Sequence, residues 1–251
     1  MHVLIAGESW VTHATHVKGV DSFTLSSYVE GVGPLRNVLH NGGHEVTHLP
    51  AHLVPDKFPA DADALAAFDV VVLSDIGANS ILLPRAVTEQ SQRRPNRLQA
   101  LADWVRGGGG LVMVGGYLSF TGFEAKAAFH GTPVEDVLPV SCLIGDDRVE
   151  APQGEEPQVV GDAHPALGGL SGTWPHLLGW NRVHPRPEAT VLATIAGDPL
   201  VVVGRAGRGR SAVFTSDCGP HWAPPGFCEQ WDGYTTLWNG LVEWTGAREP
   251  E

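Results

Sequence analysis

The chain predicts a doubly wound, mostly parallel α/β sheet with helices on both faces and a late antiparallel β extension. Short unbroken apolar runs, HVLIAG at 2–7, FDVVVLSDIGAN at 68–79 and LVMVGG at 111–116, lead into glycine or acidic residues. Buried parallel strands read this way where they open into loops. Segments of helical periodicity with glycine stops lie between them. Such alternation places ligands beyond the carboxyl ends of the strands.

Taken in order, HVLIAG is the first strand and presents Glu8, Ser9 and Trp10 at its carboxyl end. After a polar loop, SSYVEGVGPLRNVLHNGG at 26–43 reads as a helix stopped by Gly42 and Gly43, with Gly31 and Pro34 weakening its first turns. HEVTHL is the second strand, a proline-containing loop covers 49–60, and ADADALAAF is a short helix. FDVVVLSDIGAN is the strongest strand in the chain and delivers Asp75, Ile76 and Gly77. PNRLQALADWVRGGGG is a helix with apolar Leu98, Leu101, Trp104 and Val105, and LVMVGG is the strand that follows.

Beyond Gly131 the βα rhythm stops. EDVLPVSC and the acidic DDRVEAPQGEEPQ read as edge structure and a surface excursion, so an insertion around 131–200 is expected within one domain spanning 1–251. VLATIAGDPLVVVGRAGRGRSAVFTSD reads as antiparallel strands, with Arg205, Arg208 and Arg210 at a solvated hairpin tip. QWDGYTTLWNGLVEWTG closes the chain as a helix whose Trp231, Tyr234, Leu237, Trp238, Leu241 and Trp244 form a stripe for the sheet.

The formal net charge of -12 and the absence of a long basic cluster argue against nucleic acid and anionic membranes as partners. No run approaches the roughly 20 apolar residues that span a bilayer, and MHVLIAGESW lacks the features of a signal peptide. The expectation is a mature chain starting at Met1 in the cytoplasm. Cys142, Cys218 and Cys228 have neither disulfide-framework nor metal-knuckle spacing, which suits a reducing compartment.

Four strand ends should converge: Glu8-Ser9-Trp10, Asp75-Ile76-Gly77, Gly116-Tyr117-Leu118-Ser119, and Asp217 through Trp222. LVMVGGYLSFTG has the small residues of a nucleophile elbow, with Tyr117 at the apex. A phenol with a reference pKa near 10 is a poor acyl-transfer nucleophile. Ser119 is an alternative nucleophile, or the cap of a helix beginning near Thr121. His221, in a loop after a strand, suits acid/base work with Asp217 orienting it. Glu8 is a ligand group, or a cap or partner for Lys18. Cys218 lies three residues before His221 and is either a thiol activated by it or a small buried side chain. His13 and His16, three apart, could share a metal on a helix or turn, but no third ligand is fixed by spacing, and no metal or other cofactor is expected.

Together AGESW, HVKGVDSF at 16–23, LSDIGAN at 73–79, RPNRL at 94–98, GGGLVMVGGYLSFTG at 108–122 and GRGRSAVFTSDCGPHW at 207–222 resemble the class I glutamine amidotransferase-like superfamily. Within it they are most similar to the branch of uncharacterised glutamine amidotransferases. The resemblance covers nearly the whole chain and implies a flavodoxin-like domain. In that superfamily an elbow cysteine attacks the glutamine amide, and a late-strand histidine and a following glutamate complete a triad. Here the late-strand histidine matches His221, the elbow position holds Tyr117, and the residue two beyond His221 is Ala223. The resemblance also implies that the Asp75–Gly77 loop supplies an oxyanion-stabilising N–H.

These readings lead to an enzyme without the Cys-His-Glu triad that acts on a small polar, sugar-like metabolite in the cleft. Trp10, Tyr117 and Trp222 would wall it. Glu8, Ser9, Lys18, Asp75, Gly77, Gly116, Ser119, Asp217 and His221 would supply polar contacts or proton transfer. Two alternatives stand beside this one: a non-catalytic binding or scaffold module, and a glutamine amidase using Cys218. A homodimer is the default assembly for such a domain.

Overall fold

A computed structural model describes residues 1–247. The strands are β1 (His2–Gly7), β2 (Ser9–Lys18), β3 (Asp21–Glu30), β4 (Glu45–Leu49), β5 (Val70–Ser74), β6 (Gly110–Val114), β7 (Val140–Cys142), β8 (Arg148–Glu155), β9 (Gln158–Val159), β10 (Leu177–Asn181), β11 (Val183–Pro185), β12 (Thr190–Ile195), β13 (Asp198–Ala206) and β14 (Gly209–Phe214). The helices are α1 (Gly33–Asn41), α2 (Val54–Lys57), α3 (Ala62–Leu65), α4 (Ala78–Leu82), α5 (Arg85–Thr88), α6 (Arg97–Arg106), α7 (Pro225–Cys228) and α8 (Gly233–Gly246).

Eight strands form one sheet in the order β4-β1-β5-β6-β14-β13-β12-β9. The five from β4 to β14 run parallel, and β13, β12 and β9 continue antiparallel. The apolar runs seen in the sequence are continuous because both faces of these strands are covered. Val3, Ile5, Val70, Val72, Val112 and Val114 pack in one core with Leu35 and Leu39 of α1 and Leu237, Trp238 and Leu241 of α8. Leu4, Ala6, Val71, Leu73, Leu111 and Met113 pack in the other with Leu98, Leu101 and Val105 of α6. Alternation along each strand therefore divides every run between two hydrophobic layers. Asn96 caps α6 by accepting from the N–H groups of Leu98 and Gln99.

The excursion of 131–200 forms two separate two-stranded sheets, β10-β8 and β11-β7, before β12 rejoins the main sheet. The arginine-rich tip between β13 and β14 is not merely solvated. Arg208 donates to the Gly107 carbonyl and Arg210 to the Trp244 carbonyl, with the Arg210 guanidinium over the Trp244 ring.

Two expectations are corrected here. Residues 26–30 are not helical: they belong to β3, and α1 begins at Gly33, with Pro34 in its first turn where its missing N–H costs nothing. The polar loop expected after β1 is also absent, because 9–30 form one long β2-β3 hairpin. Its residues are exposed on both faces, so no alternation of burial marked it in the sequence. On a strand, an offset of three sends His13 and His16 to opposite faces, which removes the shared-metal geometry.

Candidate active site

The carboxyl ends of β1, β5, β6 and β14 bring four sequence segments together, as parallel topology requires. Backbone geometry aims two of the acids. Glu8 and Asp75, at the ends of β1 and β5, have φ of 48° and 43°, a left-handed conformation that non-glycine residues adopt at a cost. Gly7 makes the first turn feasible. At its φ of 107° an added Cβ would lie 1.9 Å from the Ser74 carbonyl oxygen.

The floor is fully buried. Ser74 Oγ donates to Glu8 Oε2 at 2.5 Å, and Cys218 Sγ lies 3.4 Å from Ser74 Oγ and 3.6 Å from Glu8 Oε2. Burial first, and then the charges of Asp217 and Asp75, push the Glu8 carboxyl well above the ordinary range, which favours its protonated form. Burial likewise pushes the Cys218 thiol up, with Glu8 and Asp217 adding to it. The activated-thiol reading of Cys218 therefore fails on environment, because a thiolate needs positive surroundings and this one faces acids. Glu8, Asp217 and Cys218 place ligand atoms within 4.8 Å of one another, a spacing a cation could bridge. The upward shifts of Glu8 and Cys218 favour protons over any ion there.

Above this floor stand the titrating groups. Asp217 is buried, accepts from the Gly219 N–H at 3.2 Å and has Oδ2 3.6 Å from His221 Nδ1. That carboxylate holds the half-exposed His221 imidazole above its ordinary pKa. With Nδ1 facing Asp217, Nε2 is the nitrogen left for a ligand. Asp75 Oδ1 accepts from the Leu118 N–H at 2.6 Å, while burial and then the Asp217 charge raise its carboxyl to about 6.

Tyr117 meets His221 edge-on at 4.6 Å between ring centroids, so the elbow side chain does face the late-strand histidine. Its hydroxyl donates to Glu150 Oε1 at 3.0 Å, and Trp222 Nε1 donates to Glu150 Oε2 at 3.1 Å. Arg148 covers the Tyr117 and Phe123 rings. Tyr117 is outside the left-handed region, unlike the strained nucleophile of an elbow, and β6 is followed by 3-10 turns at Phe123–Ala125 and Glu135–Val137 rather than an α-helix. Ser119 consequently caps no helix: its buried Oγ accepts from the Asp75 N–H at 3.2 Å.

The remaining expected residues divide clearly. Gly116 is buried against the Asp75 side chain, tied through its N–H and carbonyl to the Asn181 side chain. Gly77 is buried at the start of α4. Ser9 is turned to the scaffold, its Oγ accepting from the Ala51 N–H. Trp10 stands at the root of the β2-β3 hairpin and is 40% exposed. Lys18 is at the hairpin tip, ten residues along β2, and so about 30 Å from Glu8 of the same chain. It is not that residue's partner. Ala223 is buried in the core, and the carboxylate beside His221 comes instead from four residues earlier, at Asp217.

Residues that sequence reasoning passed over are Ser74, Asp147, Arg148, Glu150 and Asn181. Asp147 accepts from the N–H groups of Thr121 and Gly122 and from Asn181 Nδ2, binding the excursion to the turn after β6. DDRVEAPQGEEPQ read as edge structure and a surface excursion, and its charges gave no sign that Arg148 and Glu150 of β8 would stand beside Tyr117.

Among the described residues no helix is long and apolar enough to cross a membrane. Residues 2–247 match the family GATase1_like, described as "Putative glutamine amidotransferase". The chain is similar to the cytoplasmic protein STM3548 from Salmonella typhimurium, at 45% identity and a TM-score of 0.94, covering 98% of this chain and 99% of that one. It matches the cytoplasmic protein STM1381 from Salmonella typhimurium LT2 at 45% identity, 98% and 99% coverage and a TM-score of 0.93. A thua-like protein from Parabacteroides merdae shares the fold alone, at 13% identity, 98% and 89% coverage and a TM-score of 0.57. None of the curated proteins compared with the sequence matches it.

Proposed function

Since the chain belongs to the GATase1_like family of glutamine amidotransferase-like proteins, we propose that its cleft performs acid/base catalysis on a small polar, sugar-like metabolite. The arrangement of His221 and Asp217 against Tyr117, with Asp75 alongside, carries this reading. Asp217 favours the protonated form of His221, which donates a proton from Nε2. Asp75, ionising at about 6, accepts one. Separated roles for neighbouring titrating groups are the mark of acid/base chemistry of the hydrolase or lyase kind. The Tyr117 ring is the aromatic surface left for the carbon face of a sugar; the Trp222 ring, expected as a second wall, is buried at 1% exposure and backs Tyr117 from within, and Glu150 accepts from both. Sugar hydroxyls would find carboxylates within the same cleft.

Glutamine hydrolysis is disfavoured, because the elbow presents a phenol and the nearest thiol is buried beneath acids. The cytoplasmic description of two relatives at 45% identity supports a cytoplasmic location.

The test screens the purified protein against sugars, sugar acids, polyols and glutamine, following turnover by proton NMR and binding by thermal shift. The expected result is turnover of a polyhydroxylated compound, reduced on the order of 10²-fold or more by His221→Asn with binding retained. Ammonia release from glutamine that survives Cys218→Ala, or turnover indifferent to His221→Asn, would refute the proposal. Binding with no turnover would instead establish the binding-module alternative.

A further inference from the structure

The β2-β3 hairpin is an arm of 22 residues whose two strands pair with each other along ten positions. Gly19, at φ 66°, opens its tight turn. At about 3.3 Å per residue the arm is about 33 Å long. An isolated two-stranded ribbon is marginal in water and leaves two unpaired edges.

Register sorts the arm into unlike faces. Trp10 opposes Val29, Thr12 opposes Ser27, Ala14 opposes Leu25, His16 opposes Phe23 and Lys18 opposes Asp21 on one face. Val11 and Tyr28, His13 and Ser26, Thr15 and Thr24, and Val17 and Ser22 occupy the other. The second face is rich in hydroxyls, and at its root Tyr28 meets His52 of the chain's own body edge-on at 5.2 Å. The first carries the arm's larger run of apolar side chains, interrupted by Thr12 and Ser27, and is open to solvent: Trp10 is 40% exposed, Val29 41%, Phe23 46% and Leu25 58%.

We propose that this apolar face packs on the same face of a second copy of the chain. The two arms lie antiparallel across a twofold axis, so that the tip of each, with Lys18, reaches the acidic cleft at the root of the other. Area, charge and geometry select this occupant. An extended chain exposes about 1.45 Å² per dalton, so an arm about half exposed presents on the order of 1,700 Å², and one face about half of that. A stable interface takes roughly 800 Å² from each partner.

Charge points the same way. The arm carries only Lys18, Asp21 and Glu30 as formal charges on a chain of net charge -12, so its apolar face can approach an equally acidic copy. Lys18 is its one lysine or arginine. Glu8 directly precedes β2, and the negative charge near the root comes from Asp75 and Asp217, which act on Glu8, and from the more exposed Glu150 beside Tyr117. Geometry closes the argument, because arms of equal length laid antiparallel by a twofold axis bring tip to root twice over.

This inference holds whatever reaction the cleft performs, since sedimentation reports it without turnover. The full chain is run by sedimentation velocity at micromolar concentrations beside Phe23→Asp/Leu25→Asp, with circular dichroism to show that both are folded. A mixture of isotope-labelled and unlabelled chain is joined with a carbodiimide and mapped by mass spectrometry. A wild-type dimer, a monomeric double variant, and labelled-to-unlabelled cross-links from Lys18 to Glu150 are expected; the Glu150 side chain is 47% exposed. A monomeric wild type, a double variant that remains dimeric, or Lys18 cross-links confined to a single chain would overturn the proposal.

Discussion

Replacing Asp75 by asparagine should stabilise this protein, and the gain should grow with pH. The Asp75 carboxyl titrates at about 6 in the fold against 3.8 as a free side chain, because burial and the neighbouring Asp217 charge oppose its ionisation. At acid pH both folded and unfolded chains hold the proton and the group is neutral toward stability. As pH rises past 3.8 the unfolded chain sheds it first, so stability falls until the folded group has also ionised above about 6. The shift corresponds to about 3 kcal/mol at pH 8 and about half of that at pH 5, as upper figures for a carboxyl not wholly shut off from water. Asparagine keeps the acceptor for the Leu118 N–H and tolerates the left-handed backbone at φ 43°. For a chain of this size about 3 kcal/mol is a rise in Tm of roughly 6–12 °C. Calorimetry of both proteins from pH 5 to pH 8 measures the gap, and a variant less stable than wild type at pH 8, or a gap that does not widen with pH, refutes the reasoning.

The same electrostatics make Asp217→Asn lower two pKa values at once. His221 loses the anion that holds its proton and Asp75 loses the anion that repels its charge, which NMR titration would detect; an unmoved His221 would show that Asp217 is not its partner. Wild-type activity should follow a bell, rising through about pH 6 as Asp75 ionises and falling on the alkaline side, beyond the ordinary histidine range, as His221 gives up its proton. A profile flat across that window counts against the assignment. Iodoacetamide should leave Cys218 untouched in the folded protein at pH 8 and modify it in denaturant, since the thiol is buried and held protonated; stoichiometric native labelling would contradict this. Gly7→Ala should cost at least about 3 kcal/mol, from a strained φ and a contact that forces β1 away from β5. A drop in Tm of less than a few degrees would show that the turn has room.

The sheet was legible because parallel strands buried on both faces leave unbroken apolar runs, and the ends of those runs named Glu8, Asp75, Tyr117 and Asp217 in advance. The arm was not, because a ribbon bare on both sides has no inside-outside alternation. Its signals were the density of threonine, serine and valine and the Lys18-Gly19-Val20-Asp21 turn, which Gly19 makes feasible. Glu150, Arg148 and Asn181 were hidden for another reason. They come from the excursion, and their place beside Tyr117 and Gly116 depends on long-range packing that no local pattern encodes. The elbow reading fared unevenly: Tyr117 faces His221 as the resemblance implied, but the following α-helix is replaced by 3-10 turns, which frees Ser119 to tie down the Asp75 loop.

The pairing of β6 has a consequence for the chain as it is made. One neighbour, β5, is already present when Gly110–Val114 emerge, but the other, β14, is Gly209–Phe214. Throughout synthesis of everything between them, GLVMV is the bare hydrophobic margin of a growing sheet, the kind of edge that recruits strands from other chains. Fragments ending before residue 209 should therefore aggregate through this margin, and β14 closes it in the same step that carries Asp217 and His221 into place, before α8 covers the sheet.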